Sequence, residues 1–288
     1  QVRLESKKLP IIHHSKYVCE LPANHRFPMG KFPRVLHFLL KDQVITEKQV
    51  WVPAIASKDL LSCVHTDDYL NKFLSGKTSE QEQRRTGFPW GTVLAAEAAL
   101  QRGLACSTAG GTHHAFPGYG SGFCLLNDLA VAAKYVNSSS KKKVLIVDLD
   151  VHQGDGTAFI FKEEPAVFTF SVHCGKNFPL RKQESDLDIS LEDGLEDEEY
   201  LSTEAHLPWL LQTFRPDLVL YDAGVDPHWE DELGRLRLTD QLYRRDLYVM
   251  KTTVNQGVPI ATVIGGGYSR DLDKLALRHS IVHRAATQ

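Results

Sequence analysis

Asp150 and His152 stand two residues apart, directly after the apolar run 143–148. In extended backbone, residues i and i+2 face the same way, so a carboxylate and an imidazole would converge there. Asp226, behind a second apolar run, is placed to add a third ligand. An Asp/Asp/His set with an open position suits a catalytic Zn²⁺ or another first-row dication. A single acid in such a place more often caps a helix or holds a surface ion pair. Asp148, Asp150 and Asp155 crowded around His152, with glycines at 154 and 156, is too dense a run for that. Asp148 points to the same face, and like charges at alternate positions repel unless cations or histidines answer them. The tandem His113-His114 is the available supply, its alternative being a capping or core pair. A buried histidine commonly donates one ring N–H to a carboxylate, so two His–Asp dyads are expected from His113 and His114 with Asp148 and Asp155.

These residues need a scaffold that gathers strand ends. Four segments, Gly110–His114, Asp148–Gly156, Asp222–Asp226 and Gly265–Tyr268, lie at or near such ends, and each carries glycine. Apolar runs at 143–148, 166–172, 217–221 and 259–264 suit parallel strands covered on both faces. Between them the pattern predicts helices over 89–102, 125–136, 197–214, 240–255 and 271–286. The cluster Ser138 to Lys143 reads as an exposed loop. This is an open α/β sheet in one domain spanning 1–288, and such sheets place their sites beyond the C-terminal ends of the strands. No Walker lysine or GxGxxG fingerprint accompanies the glycines, which argues against nucleotide binding.

Composition narrows the partners. The 288 residues carry 33 Lys plus Arg against 36 Asp plus Glu, a formal charge of −3. That balance gives no reason to expect nucleic acid, and no apolar run approaches a membrane span. The five cysteines are odd in number and form no CxxC pair, consistent with free thiols in a reducing cytoplasmic or nuclear setting. A targeting segment upstream of Gln1 is compatible with the sequence. Cys106 and Cys124 sit in apolar or Gly-rich runs and are expected to be buried.

The motifs resemble those of the histone deacetylase family of zinc-dependent amidohydrolases: GGTHHAFPGYGSGFCLLND (110–128), VDLDVHQGDG (147–156), FSVH (170–173), DAGVDPHWEDELG (222–234) and GGGYS (265–269). Their order along the chain matches the family. The resemblance implies a three-layer arginase/deacetylase-like fold with a central, mainly parallel eight-stranded sheet. It implies zinc ligation by Asp150, His152 and Asp226. Asp222 competes for the third place, but the family ligand follows the Ala-Gly step. It implies His113 paired with Asp148, His114 paired with Asp155, and Tyr268 polarising the substrate carbonyl. Gly122 and Phe123 would line the substrate tunnel, with Phe178 as the opposing wall. Asp148, Ser171 and the backbone at Asp150, His152 and Val172 resemble the family's inner monovalent-cation site, which holds K⁺. The implied reaction is hydrolysis of an N6-acyl-lysine amide, acetyl or longer, in a protein or in a small acylated amine.

Within the family, Gln153 resembles the class IV branch, whereas Asp155 replaces the asparagine usual there. The peptide-anchoring rim aspartate of class I has no match around Gly87 to Trp90. Leu233 stands where polyamine deacetylases carry a gatekeeper glutamate. Arg34 is a candidate to line an inner exit channel, against the alternative of a surface arginine. The stretch 184–199 holds nine acids and no Lys or Arg. It reads as a solvated face with a helix start at Asp197, or as a surface for a basic protein partner. Two rivals remain: a binuclear Mn²⁺ ureohydrolase-type enzyme, and a non-catalytic acyl-lysine-binding homologue.

Overall fold

The structure, a computed structural model, describes residues 9–18, 21, 23–54, 56–75 and 87–288. In chain order the elements are β1 (Ile11–Ile12), α1 (Lys31–Lys41), β2 (Val50–Trp51), α2 (Lys58–Leu61), α3 (Asp67–Leu74), α4 (Gly87–Arg102), β3 (Leu104–Ser107), α5 (Asp128–Ser140), β4 (Val144–Asp148), α6 (Asp155–Phe161), β5 (Val167–Cys174), β6 (Leu187–Leu191), α7 (Asp197–Ser202), α8 (His206–Phe214), β7 (Leu218–Asp222), α9 (Leu242–Asn255), β8 (Ile260–Val263) and α10 (Leu272–Ala286). The eight strands form one sheet in the order β2-β1-β3-β8-β7-β4-β5-β6, and every neighbouring pair is parallel.

The central strands explain their own sequences. Every residue of β4, β7 and β8 is buried, because helices cover both faces of the sheet. Each fully buried Val, Leu or Ile there contributes about 1.5–3 kcal/mol from the water it sheds. One apolar layer joins α1, α7, α8, α9 and α10 to one face. The other joins α3, α4 and α5 to the opposite face. In that second layer Ala95, Ala96, Ala98 and Ala99 of α4 are buried along with Ala130, Ala132 and Ala133 of α5, and such small side chains let helices approach closely.

Several sequence boundaries move. The helix expected over 197–214 is broken into α7, a 3₁₀ turn at Thr203–Ala205, and α8. Pro208 has no N–H and its ring clashes with the carbonyl four residues back, so a continuous α-helix is excluded. The helix expected over 125–136 is α5, which starts later because Asn127 caps it by accepting the Ala130 N–H at 3.0 Å. It also runs on through the serines expected to form a loop. Ser139 and Ser140 donate their hydroxyls to the carbonyls of Tyr135 and Val136, so the helix satisfies them itself. Strands β1, β2, β3 and β6 go beyond the four located from the sequence. Cys106 and Cys124 are buried, while Cys19 lies outside the described residues. No helix among the described residues is long and apolar enough to cross a membrane.

Candidate active site

The chemistry-bearing residues all follow the C-terminal ends of β3, β4, β7 and β8, which adjoin in the sheet. Strand β4 stops at Asp148, and the chain then folds on its own carboxylates. Asp148 Oδ1 accepts the Asp150 N–H at 3.2 Å, and Asp150 Oδ1 accepts the His152 N–H at 2.9 Å. These side-chain-to-backbone turns do the work that extended backbone was expected to do. His152 Nδ1 comes to lie 3.0 Å from both Asp150 Oδ1 and Asp226 Oδ2. Ligand atoms of Asp150, His152 and Asp226 lie within 4.8 Å of one another, and all three residues are buried. Asp226 is oriented by the Val151 N–H at 2.8 Å, and Asp150 by the Gly266 N–H at 2.7 Å.

The donor set fits a dication. Burial, and Asp150 beside it, push the Asp226 carboxyl up to about 6, the mark of two carboxylates that need a positive charge between them. Gly266 fits the same reading: a Cβ there would sit 2.2 Å from Asp226 Oδ2 and 2.6 Å from Asp150 Oδ2. The carboxylates can converge only because that position has no side chain.

Both dyads form. His113 Nδ1 donates to Asp148 Oδ2 at 2.5 Å, and His114 Nδ1 donates to Asp155 Oδ1 at 2.6 Å. The two rings are 4.2 Å apart, yet their charges diverge. Burial and the neighbouring His113 push His114 down to about 4. Burial opposes charge on His113 as well, but Asp148 and Asp150 outweigh it and hold His113 well above its ordinary value. Tyr268 is buried, and burial together with Asp226 and Asp150 keeps its hydroxyl well above the usual phenol range. It therefore stays a hydrogen-bond donor.

His113, Asp148 and Asp222 form a second buried group with ligand atoms within 4.8 Å. The 2.5 Å hydrogen bond between His113 and Asp148 occupies it, and a second ion there would have to break that bond.

Above the metal group, Phe123 and Phe178 are each a little over 40% exposed. The Phe178 ring meets His114 edge-on at 4.9 Å, and the Phe123 ring lies 5.9 Å from Tyr268. Gly122 fits against His114, where a Cβ would meet the ring at 2.5 Å. A narrow cavity of about 30 Å³ descends among Phe27, Phe123, His113, His114, Asp150 and Tyr268.

The sequence model of the histone deacetylase domain matches residues 25–282. The chain belongs to the histone deacetylase family. It is 52% identical to an uncharacterised protein of Picosynechococcus sp., over 96% of this chain and 98% of that one. Histone deacetylase 2 of Arabidopsis thaliana is 29% identical, over 91% of this chain and 75% of its own. The acetoin utilization protein AcuC of Staphylococcus aureus is 30% identical, over 85% and 73%. The crystal structure of the HDA15 HD domain superposes with a TM-score of 0.83 at 23% identity, covering 98% of this chain and 90% of that one. The shared fold is the arginase/deacetylase architecture.

The remaining sequence candidates of this deacetylase-family chain divide. Ser171 lies opposite Asp148 in the β4–β5 register, with Val172 next along β5, although the Ser171 hydroxyl is bonded to His173 Nδ1 at 2.9 Å. Gln153 holds the segment beyond the tunnel wall: its amide donates to Gln183 O at 2.6 Å and to Asp188 at 2.9 Å. Arg34 lines no inner channel. It is half exposed and pairs with Asp273 at 2.5 Å, because it faces outward on α1.

The residue of α1 that does reach the site was missed. Lys31 is wholly buried, and its ammonium donates to the carbonyls of Gly265 at 3.2 Å and Gly267 at 3.4 Å. Burial lowers it to about 8 against the pull of Asp226 and Asp150. A lysine beside an arginine and a terminal lysine on a short helix looks solvent-facing in sequence, so nothing marked it. The acidic stretch is less free than its composition implies. Asp186 accepts from Thr169, Asp197 from Thr239, and Arg244 and Arg235 pair with Glu198 and Asp193.

Proposed function

We propose that the protein is a Zn²⁺-dependent hydrolase of N6-acetyl-lysine amides in proteins. The observation that carries this is the convergence of the Asp150–His152–Asp226 group, both His–Asp dyads and Tyr268 at the foot of one aromatic-walled cavity. When bound, Zn²⁺ would polarise the acyl carbonyl and acidify a water. His114, kept neutral by burial and with Nδ1 committed to Asp155, presents its other nitrogen to take a proton from that water. His113, held cationic against Asp148, is suited to deliver a proton to the leaving amine. Tyr268 donates to the oxyanion as it develops, where such a bond counts most. Phe123 and Phe178 flank the apolar stem of the lysine, and the Gly122 carbonyl faces its amide N–H. A K⁺ among Asp148, Ser171 and the backbone at Asp150, His152 and Val172 belongs to the same reading, as does a class IV-like position based on Gln153.

The cavity is small, about 30 Å³ or room for roughly two waters, and it must take the lysine stem beside Phe123 as well as the acyl group, which favours acetyl over longer chains. The test is a peptide panel from acetyl to long-chain acyl-lysine, with acetylated polyamines alongside, assayed on protein of measured zinc content. One zinc per chain with turnover greatest on acetyl peptides is expected. Zinc-loaded protein that hydrolyses none of them would leave the binding-homologue reading instead.

A further inference from the structure

The cavity opens beside a groove of about 1030 Å³ that the hydrolytic site itself does not use. Phe27 lines both, so the groove begins where the tunnel ends. One wall is the segment from His25 to Gly30, and the other is Glu232, Leu233, Ser269 and Arg270. This wall is tied to the reaction centre, since Glu232 N–H donates to the Tyr268 carbonyl at 3.0 Å. Anything extending from a lysine seated in the tunnel can lie along it.

The charges of this groove are unbalanced. Arg26 and Arg270 are exposed, and neither has an ion-pair partner among the described residues. Other cations nearby are already engaged: Arg34 by Asp273, and Lys274 and Arg278 by Glu230. Glu232 is the one carboxylate in the lining, and its Oε1 accepts the Arg270 N–H at 2.9 Å. His25 turns its Nδ1 to the Phe27 N–H at 3.1 Å and packs its ring 5.4 Å from Phe123. The loop beyond Phe178 does not reverse the sign, with Arg181 and Lys182 set against Glu184. The acids that could favour a basic peptide line a different groove, with Trp229, Arg237 and Arg244.

We infer that this groove receives the acidic flank of an acyl-lysine peptide, with Arg26 and Arg270 as its specificity-determining residues. The inference rests on the amide-hydrolase reading and narrows it to substrates unlike a lysine-rich tail. The probes are three acetyl-lysine peptides of equal length, flanked by Glu, Ala or Lys, assayed at low salt and in 0.5 M NaCl. At low salt kcat/KM for the Glu-flanked peptide should exceed that for the Lys-flanked one by roughly fivefold, the reach of one or two exposed ion pairs. The gap should close in high salt. Arg26→Glu combined with Arg270→Glu should reverse the order of the Glu- and Lys-flanked peptides. Equal low-salt rates, a Lys preference, or an order indifferent to the two substitutions overturns the inference, although hydrolysis of the Ala-flanked peptide still supports the hydrolase reading. No turnover of any peptide removes that reading, and this inference with it.

Discussion

Tyr268 combines two properties that suit an oxyanion donor: it is buried, and that burial, with the carboxylates around it, holds its hydroxyl protonated. Two of those carboxylates, Asp226 and Asp150, belong to the candidate metal group, yet Asp150, His152 and Asp226 are oriented by one another and by the N–H groups of Val151 and Gly266 rather than by Tyr268. In the proposed hydrolase, Tyr268 can therefore be altered without removing a metal ligand. Tyr268→Phe should lower kcat roughly 10²- to 10³-fold, the usual cost of one such donor, with zinc content and KM little changed. Zinc analysis together with steady-state kinetics on an acetyl-lysine peptide checks this. A variant with full kcat would mean that the hydroxyl is not the donor.

The loop that carries Tyr268 is held from two sides, and this is where element geometry matters. From below, Lys31 of α1 binds the carbonyls of Gly265 and Gly267. From above, Asp231 accepts the Tyr268 N–H at 2.7 Å with one oxygen and the N–H groups of Leu233 and Gly234 at 2.9 Å with the other. Asp231→Ala should therefore act through Tyr268. It should lower kcat by about tenfold or more, given about 1.5–3 kcal/mol for a hydrogen bond to a charged group. The same substitution in a Tyr268→Phe background should cost little further kcat. Additive losses in the double variant would show a general structural role instead. Neither Asp231 nor Lys31 could be singled out from sequence. The strand-end motifs were legible because Gly, Asp and His crowd into short runs after apolar ones, as in 148–156. Asp231, one of three consecutive acids at 230–232, and Lys31 on α1 carry no pattern that marks them out, because the Tyr268 N–H and the Gly265 carbonyl they meet lie 37 and more than 230 residues away. The two-residue strands β1 and β2 are too short to show periodicity. The edge strand β6 mixes Asp188 and Ser190 with apolar residues.

Across the whole molecule, the sheet connects this site to a buried polar network on its far side. Arg245 of α9 is fully buried, donating to Asp246 at 2.9 Å and to the Leu149 carbonyl at 3.2 Å. Leu149 is the residue between Asp148 and Asp150, so the network braces the backbone of the metal loop from behind. Tyr200 reaches the same carbonyl at 3.4 Å, and Tyr221 donates to Asp246 at 2.5 Å. Glu204 completes the network without balancing it: its buried Oε1 has no hydrogen-bond partner among the described residues. Burial pushes its carboxyl from 4.5 up to about 9, with Arg245 opposing. The folded pKa is thus the higher one, so the unfolded chain releases this proton first. Glu204 then erodes stability as pH rises from about 4.5 to about 9, and adds no further slope beyond. Glu204→Gln cannot ionise and should abolish that slope. Urea unfolding at pH 5 and pH 8.5 should show near-equal stability for wild type and variant at the lower pH, and a more stable variant at the higher. An equal difference at both pH values, or a variant weaker only at pH 8.5, would mean that Glu204 is ionised and held by Arg245. In that case the network behind Leu149 would be a satisfied ion cluster, and its loss would loosen the metal loop at every pH.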